Sequence, residues 1–372
     1  MGSLKFQSSR PHRRSRRRGF KRFIAPVVAT LLMIGAAALW FFLVRSSDES
    51  ENLKASPRPS EPAQAHILVR LPEDDAPHKN AMEWWYYNCH ISAKDGREFS
   101  FHYVFFLVNS VVPYTASQVS LTDHQTGKRY VHQKQSPGNP SASSTKGFNF
   151  NLGEWSMVGS DGDDALKATT PDFAFDLRLS NPGPTVFQGG TGLLDFKQAG
   201  SSYYYSRPRM KLDGTLTVAG KTFLVTGESW FDHQWGNFQT LMLGWDWFSL
   251  QLEDGADIML YKLRDRADQP VLFSGTYTRN GSTKVLGERD FSAQPTGAWK
   301  SGNTGITYNT AWKVSIPNYN IELQLTPIAH DSEIDARSTT LNTYWEGAIN
   351  LSGSHKGRGF VEISPVRAKT AR

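Results

Sequence analysis

Gly227-Glu-Ser-Trp-Phe-Asp-His-Gln-Trp-Gly236, with Trp245-Asp-Trp-Phe-Ser-Leu-Gln-Leu252, the pair Asp254-Gly255 and Ile258-Met-Leu-Tyr-Lys-Leu263 after it, decides the fold. These runs are aromatic and apolar, they alternate, and glycine interrupts them, so they predict strands. A strand alternates its faces with period two. His233 and Trp235 therefore share one face, and Trp230 and Asp232 share the other. Asp-Gly between alternating apolar runs predicts a hairpin, because a type I′ turn needs positive φ at both central residues. A two-residue turn there sets Phe248 opposite Tyr261 and Asp246 opposite Leu263. It also gathers Asp246 with Phe248, Leu250, Leu252, Met259 and Tyr261, an apolar wall holding one carboxylate.

The same texture extends outward from this hairpin. Short apolar runs such as Glu83–Ile91, Phe99–Val108, Phe173–Leu179, Ile321–Leu325 and Tyr344–Leu351 are punctuated by Gly, Asn-Gly and Asp-Gly. That spacing predicts an all-β sandwich or barrel. No stretch beyond residue 65 sustains a helical period, apart from a turn near Leu193–Gln198, and Ser136–Lys146 has the composition of a loop. The roughly 300 residues involved exceed a usual single core, so two domains are expected. Cys89 is the sole cysteine, which excludes an intramolecular disulfide framework.

The N-terminus stands apart. Nine of the chain's 41 Lys and Arg residues lie in Met1–Arg22, which has no acid, so the rest carries fewer basic than its 35 acidic side chains. The net charge of +6 and the pI near 9.2 belong to this tail, and nucleic acid is not an expected partner. Phe23–Val44 is an apolar run long enough to cross a bilayer as a helix, with positive charge before it. The run ends Trp40-Phe-Phe-Leu-Val44 without a small-residue cleavage site, which predicts an uncleaved signal-anchor. The expected organisation is a basic cytoplasmic tail (1–22), a transmembrane anchor (23–44), a flexible stalk (45–65) and two domains (66–238 and 239–366). The bulk of the chain is then periplasmic or extracellular, tethered to an inner or plasma membrane by one span.

Several residues could carry chemistry. Counting back from Asp95-Gly96 sets Cys89 opposite His102, with Glu83 further along the same face. Such a pair is either an activated thiolate or a small buried thiol beside a core imidazole. Asp232, His233, Asp246, Glu83, His90 and His102 offer metal-ligand atoms, but no His-x-His or His-Glu-x-x-His spacing joins them, and neither a metal ion nor an organic cofactor is expected. There is no Gly-x-Ser-x-Gly elbow, phosphate loop or dinucleotide fingerprint. Acid/base work in an apolar cavity remains. A carboxyl group on a greasy wall has its neutral form favoured and can donate a proton near neutral pH, while tryptophan faces stabilise a cation. The alternative for Asp246 is a strand cap or an ion pair with an arginine such as Arg264, with His233 bonded to backbone.

Glu83-Trp-Trp-Tyr86, Trp230-Phe-Asp-His-Gln-Trp-Gly236, Gly244-Trp-Asp-Trp-Phe-Ser-Leu-Gln-Leu252, Met259-Leu-Tyr261, Tyr344-Trp-Glu-Gly347 and Gly357-Arg-Gly-Phe-Val-Glu362 together resemble the CrtC/AttH family. That family includes carotenoid 1,2-hydratases (hydroxyneurosporene synthases), kievitone-hydratase-like proteins and proteins called predicted secreted hydrolases. The resemblance implies two lipocalin-like β-barrel domains, divided between the Asp-His-Gln-Trp run and the Trp-Asp-Trp strand. In the hydratase branch catalysis is attributed to a His-x-Trp pair and a Tyr-x-Asp pair. His233 and Trp235 match the first and Tyr261 matches the tyrosine, whereas Leu263 stands at the aspartate. Hydration then requires Asp246 to substitute from across the hairpin.

The expected catalytic set is Asp246, His233, Tyr261 and Trp235, and the expected ligand-contacting aromatics are Trp84, Trp85, Trp230, Trp245, Trp247 and Phe248. Three functions compete. The chain is a hydratase or hydrolase of an apolar, isoprenoid- or polyketide-like molecule, a tethered lipid carrier serving an ABC-type transporter permease, or an envelope scaffold with filled barrels. A cluster of Asp246, His233 and Tyr261 at proton-transfer distance would favour the first.

Overall fold

The computed structural model describes residues 66–138 and 146–366. The basic tail, the membrane segment 23–44 and the stalk 45–65 lie outside the described residues, as does most of the expected loop 136–146. Among the described residues no helix is long and apolar enough to cross a membrane.

Two antiparallel sheets account for almost all of the described chain. The first contains β1 (Met82–Ala93), β2 (Glu98–Val108), β3 (Tyr114–Asp123), β4 (Arg129–Pro137), β5 (Phe148–Leu152), β6 (Trp155–Ser160), β7 (Asp163–Thr169) and β8 (Phe173–Ser180). The short β9 (Val186–Phe187) and β10 (Leu193–Asp195) and the long β11 (Gly200–Val218) and β12 (Lys221–Phe238) complete it. The second contains β13 (Leu243–Leu252), β14 (Asp257–Asp265), β15 (Pro270–Arg279), β16 (Ser282–Gly287) and β17 (Ser292–Lys300). It continues with β18 (Thr307–Ile316), β19 (Ile321–Pro327), β20 (Glu333–Ala336), β21 (Asn342–Gly353) and β22 (Gly357–Ser364). Strand order is β4-β3-β2-β1-β12-β11-β8-β7-β6-β5 in the first sheet, with β9 and β10 paired to β11. In the second it is β16-β15-β14-β13-β22-β21-β19-β18-β17, with β20 paired to β21.

Each sheet curls around its own apolar face. In the first, Trp85 of β1 meets Phe150 of β5 at 4.5 Å between ring centroids, and Phe105 of β2 meets Phe150 at 5.5 Å, so the sheet nearly closes. In the second, Phe248 of β13 packs edge-on against Trp312 of β18 at 5.2 Å inside a half-barrel. Strands on the outer walls alternate buried and exposed residues, as β8 and β19 do. β1, β2, β12 and β13 are buried on both faces, because their second face looks at the opposite sheet. A third apolar layer, including Tyr86, Tyr204, Trp230, Trp247 and Met259, fills the space between the sheets. The doubled aromatic content of these strands thus has two causes, a barrel core on one side and an inter-sheet layer on the other.

Both hairpin registers differ from the expected ones, and for the same reason. The loops are Lys94-Asp95-Gly96 and Glu253-Asp254-Gly255, three residues rather than two. The amides of Ala93 and Leu252 close them onto the carbonyls of Arg97 and Ala256. Gly96 and Gly255 take positive φ (86° and 87°) while the aspartates before them do not, the arrangement of a type I turn followed by a left-handed glycine. The extra residue slips each pairing by one. Cys89 lies opposite Phe101, not His102, and Asp246 lies opposite Lys262, not Leu263. A one-residue slip changes which side chains share a face. Asp246 therefore joins Phe248 and Leu250 in the half-barrel, and Tyr261 turns the other way, with Trp247 opposite it.

Candidate functional site

The inter-sheet layer leaves a cleft with about 940 Å³ of space, mouth included. Its walls come from three transverse rows of side chains. On the first sheet the row Val104, Tyr86, Asp232, Ser206 crosses β2, β1, β12 and β11, with Phe106, Trp84, Gln234 and Tyr204 in the row beside it. On the second sheet Tyr261, Trp247, Glu362 and Glu346 cross β14, β13, β22 and β21. The registers place each residue directly opposite its neighbour, so these side chains point the same way. The cleft is aromatic, with three carboxyl groups set into it.

Each carboxyl group has its own environment. Asp232 Oδ1 accepts from Ser206 Oγ (2.6 Å) and Trp230 Nε1 (2.7 Å), and Oδ2 accepts from Tyr204 OH at 2.6 Å. Tyr204 in turn accepts from Trp247 Nε1 at 2.9 Å, which ties the walls together. Burial pushes the Asp232 carboxyl up to about 7, and the three donors offset only part of that. Glu362 accepts from Trp245 Nε1 at 2.9 Å and is likewise pushed up to about 7, first by burial and then by the charge of Asp232. Glu346 Oε1 accepts from Tyr86 OH at 2.7 Å. Its Oε2 is buried with no hydrogen-bond partner among the described residues. Burial, and Glu362 directly across the strand pair, hold Glu346 well above the usual carboxylate range. Two like charges facing each other in a low-dielectric cleft repel, which favours the protonated form of Glu346.

The expected catalytic residues fall into three separate places. Tyr261 lines the cleft and burial raises its hydroxyl, while Leu263 beside it is buried in the inter-sheet layer. His233 and Trp235 face the interior of the first barrel, on the far side of β12. Asp246 faces the half-barrel and receives both terminal nitrogens of Arg264 (2.5 and 3.0 Å), with Lys262 Nζ at 3.8 Å. Asp246, His233 and Tyr261 therefore form no cluster, and the ion pair replaces the expected substitution for the missing aspartate. Among the aromatics, Trp84, Trp245 and Trp247 line the cleft, and Trp230 lies behind Trp247, edge-on at 6.3 Å. Trp85 and Phe248 do not line it. They are core residues of the first barrel and the half-barrel, a consequence of strand alternation and of the slipped register. Cys89 gives its thiol hydrogen to Ser229 Oγ (3.1 Å), and burial pushes it far up, so no activated thiolate exists there.

Of the six metal-ligand candidates, only Glu83 and His233 come together, and His78 joins them from the segment before β1. These three are the only group of histidine, cysteine or carboxylate donors among the described residues close enough to share an ion. Glu83 Oε1 lies 2.8 Å from His233 Nε2 and 2.7 Å from His78 Nδ1, and Oε2 accepts from the His78 amide at 2.7 Å. Burial pushes Glu83 up, but the hydrogen bonds to the two histidines outweigh it and leave the carboxyl below its usual range. Burial also lowers His233, which keeps its ring neutral.

Glu346, Glu362, Tyr86, Tyr204 and Tyr344 are cleft residues absent from the expected site. A signal for the two glutamates was present. Tyr344-Trp-Glu-Gly347 and Phe360-Val-Glu-Ile363 each place a glutamate inside an apolar strand with no cation beside it in sequence. That the two would face one another depended on the β21–β22 register, which strand patterning leaves open.

The AttH-like family model matches residues 62–365. An AttH protein from Nitrosomonas europaea is similar in structure, with a TM-score of 0.72 and 27% identity over 83% of this chain and 99% of its own. Kievitone hydratase from Nectria haematococca gives a TM-score of 0.67 and 21% identity over 81% and 93% of the two chains. CghA bound to Sch210972 gives 0.54 and 11% over 82% and 97%, a likeness of fold alone. Among curated proteins none matches the sequence.

Proposed function

The chain belongs to the AttH-like family, and from that premise we propose that it takes an apolar small molecule into the cleft and hydrates it there by acid/base catalysis. The observation that carries this is Glu346, buried directly opposite Glu362, with one oxygen left without a hydrogen-bond partner among the described residues on an aromatic wall. Protonated Glu346 gives its proton to one carbon of a substrate double bond. The cation that forms is stabilised by the faces of Trp84 and Trp247. Water adds to the cation, its surplus proton passes to ionised Glu362, and exchange between the facing glutamates restores the starting state. No atom is left over, since the product is substrate plus one water.

The expected aspartate at Leu263 is not required by this scheme, because Glu346 and Glu362 come from two other strands. Hydration is named for kievitone hydratase as its own activity; here the carboxylate pair supports it, and 21% identity adds the fold. We place the reaction outside the membrane because the Arg-rich tail 1–22 precedes the apolar run 23–44.

The test is to incubate the purified protein with a panel of prenylated and polyene compounds in ¹⁸O-labelled water. A product heavier by one labelled water is expected, and Glu346→Gln should lower turnover on the order of a hundredfold or more while retaining the ligand. Full turnover by that variant, or binding without hydration of any compound retained, would overturn the reading and favour a carrier.

A further inference from the structure

The first barrel holds a second cluster that the cleft mechanism does not use. His78, Glu83 and His233 sit on the opposite side of β1 and β12 from Tyr86 and Asp232. Tyr205 gives its hydroxyl hydrogen to Asp75, which also receives the buried Arg207 (3.0 and 3.1 Å). His233 Nδ1 lies 3.3 Å from that same hydroxyl oxygen, and its Nε2 lies 2.8 Å from Glu83 Oε1. His78 Nδ1 reaches the same Glu83 oxygen at 2.7 Å, and its Nε2 faces Asp74 Oδ1 at 3.5 Å. Three atoms able to ligate a metal, two imidazole nitrogens and a carboxylate oxygen, thus converge on one point, all within 4.8 Å of one another.

We propose that His78, Glu83 and His233 bind a divalent transition-metal ion of the zinc class at the edge of the first barrel. Two imidazoles and a carboxylate form a donor set that suits zinc or cobalt, with a further position left for water. Each histidine has the outer support such ligands require. The far nitrogen of His78 meets a carboxylate directly, and that of His233 meets one through Tyr205. The rings are held in place by stacking, His78 on Trp235 at 4.2 Å and 1°, and His233 on Trp85 at 4.3 Å. Metal–ligand bonds of about 2.0–2.2 Å need the donor atoms slightly further apart than they stand. His78 lies outside the strands and its side chain is 21% exposed, so it can move out by that amount and admit an ion from solvent. Glu83 and His233 are fixed by the paired β1 and β12.

The full chain, stripped with a chelator and dialysed, is titrated with zinc by calorimetry and with cobalt by visible absorption. One equivalent of zinc should bind and raise the melting temperature, and cobalt should give the spectrum of a low-coordinate nitrogen/oxygen site. His78→Ala, at a half-buried position outside the strands, should fold and lose both effects, and Tyr205→Phe should weaken binding about 10- to 100-fold. His355→Ala, in the turn between β21 and β22, should bind as the parent does. No uptake by the parent, or uptake unchanged in His78→Ala, would overturn the site and leave the cleft reaction untouched.

Discussion

Asp232→Asn separates the charge of the cleft from its shape. An acid whose pKa is raised on folding stabilises the fold below its unfolded value and loses that contribution as pH rises through its folded value. For Asp232 these limits are 3.8 and about 7. Ionising it at pH 8 therefore costs about 4 kcal/mol relative to pH 4, at about 1.4 kcal/mol for each pH unit between the two values. The asparagine oxygen still accepts from Ser206 and Trp230. Its amino group faces Tyr204, which then loses its acceptor at a cost of about 1 kcal/mol. The variant should thus be less stable than the parent by about 1 kcal/mol at pH 4 and more stable by about 3 kcal/mol at pH 8, with the sign reversing at about pH 5. Losing the Asp232 charge also eases ionisation of Glu362, which adds in the same direction. Urea unfolding followed by tryptophan fluorescence at pH 4, 6 and 8 measures the difference, and groups common to both proteins cancel. A difference that stays constant with pH would refute a desolvated acid at this position.

Asp246→Ala should lower stability by about 3 kcal/mol, because it leaves Arg264 and Lys262 without their shared carboxylate, yet leave ligand uptake in the cleft unchanged; paired melting and binding curves check both. Cys89 should resist a thiol reagent until the protein is unfolded with urea, and Cys89→Ala should keep full activity; rapid labelling of the folded protein would contradict its burial. Far-UV circular dichroism should be dominated by strand and unchanged by reductant, and a spectrum richer in helix than strand would contradict the two sheets. Protease added outside intact cells or spheroplasts should digest the sheets and spare an N-terminal tag if 23–44 is the anchor; full protection would refute that placement.

How much of this was legible depends on which residues are asked. Alternation alone separated His233 and Trp235 from Trp230 and Asp232, and the structure keeps them apart, because a strand in a curled sheet has no other way to place them. The all-β character was equally plain from the Gly-punctuated runs. Pairings were harder. Asp95-Gly96 and Asp254-Gly255 look like two-residue turns, but the glycine in each is the last residue of a three-residue loop. Both loops carry a third polar residue, Lys94 or Glu253, ahead of the aspartate, and that length is what a dipeptide signal misses. Once each register slips by one, an expected carboxylate–tyrosine wall becomes an ion pair on one face and a cleft-lining tyrosine on the other.

The glutamates were lost for a deeper reason. A glutamate in an apolar strand shows in the sequence, but its meaning depends on what stands across from it, and β21 and β22 are set by neighbours as remote as β13 and β19. Glu346 opposite a lysine would be an ordinary ion pair; opposite Glu362 it is an acid whose protonated form is favoured. The same dependence places His78 beside Glu83 and His233, since nothing in the segment before β1 marks it as a third donor. β12 then carries two chemistries back to back. Asp232 and Gln234 face the aromatic cleft, whereas His233 and Trp235 face the barrel, and the same alternation separates Tyr86 from Glu83 on β1. If both sites act, a single strand pair positions them, and a change at His233 can reach the cleft only through the backbone of β12. The cleft variants and the metal-site variants should therefore add independently, and coupling beyond about 0.5 kcal/mol between Glu346→Gln and His78→Ala would mean that the two faces communicate.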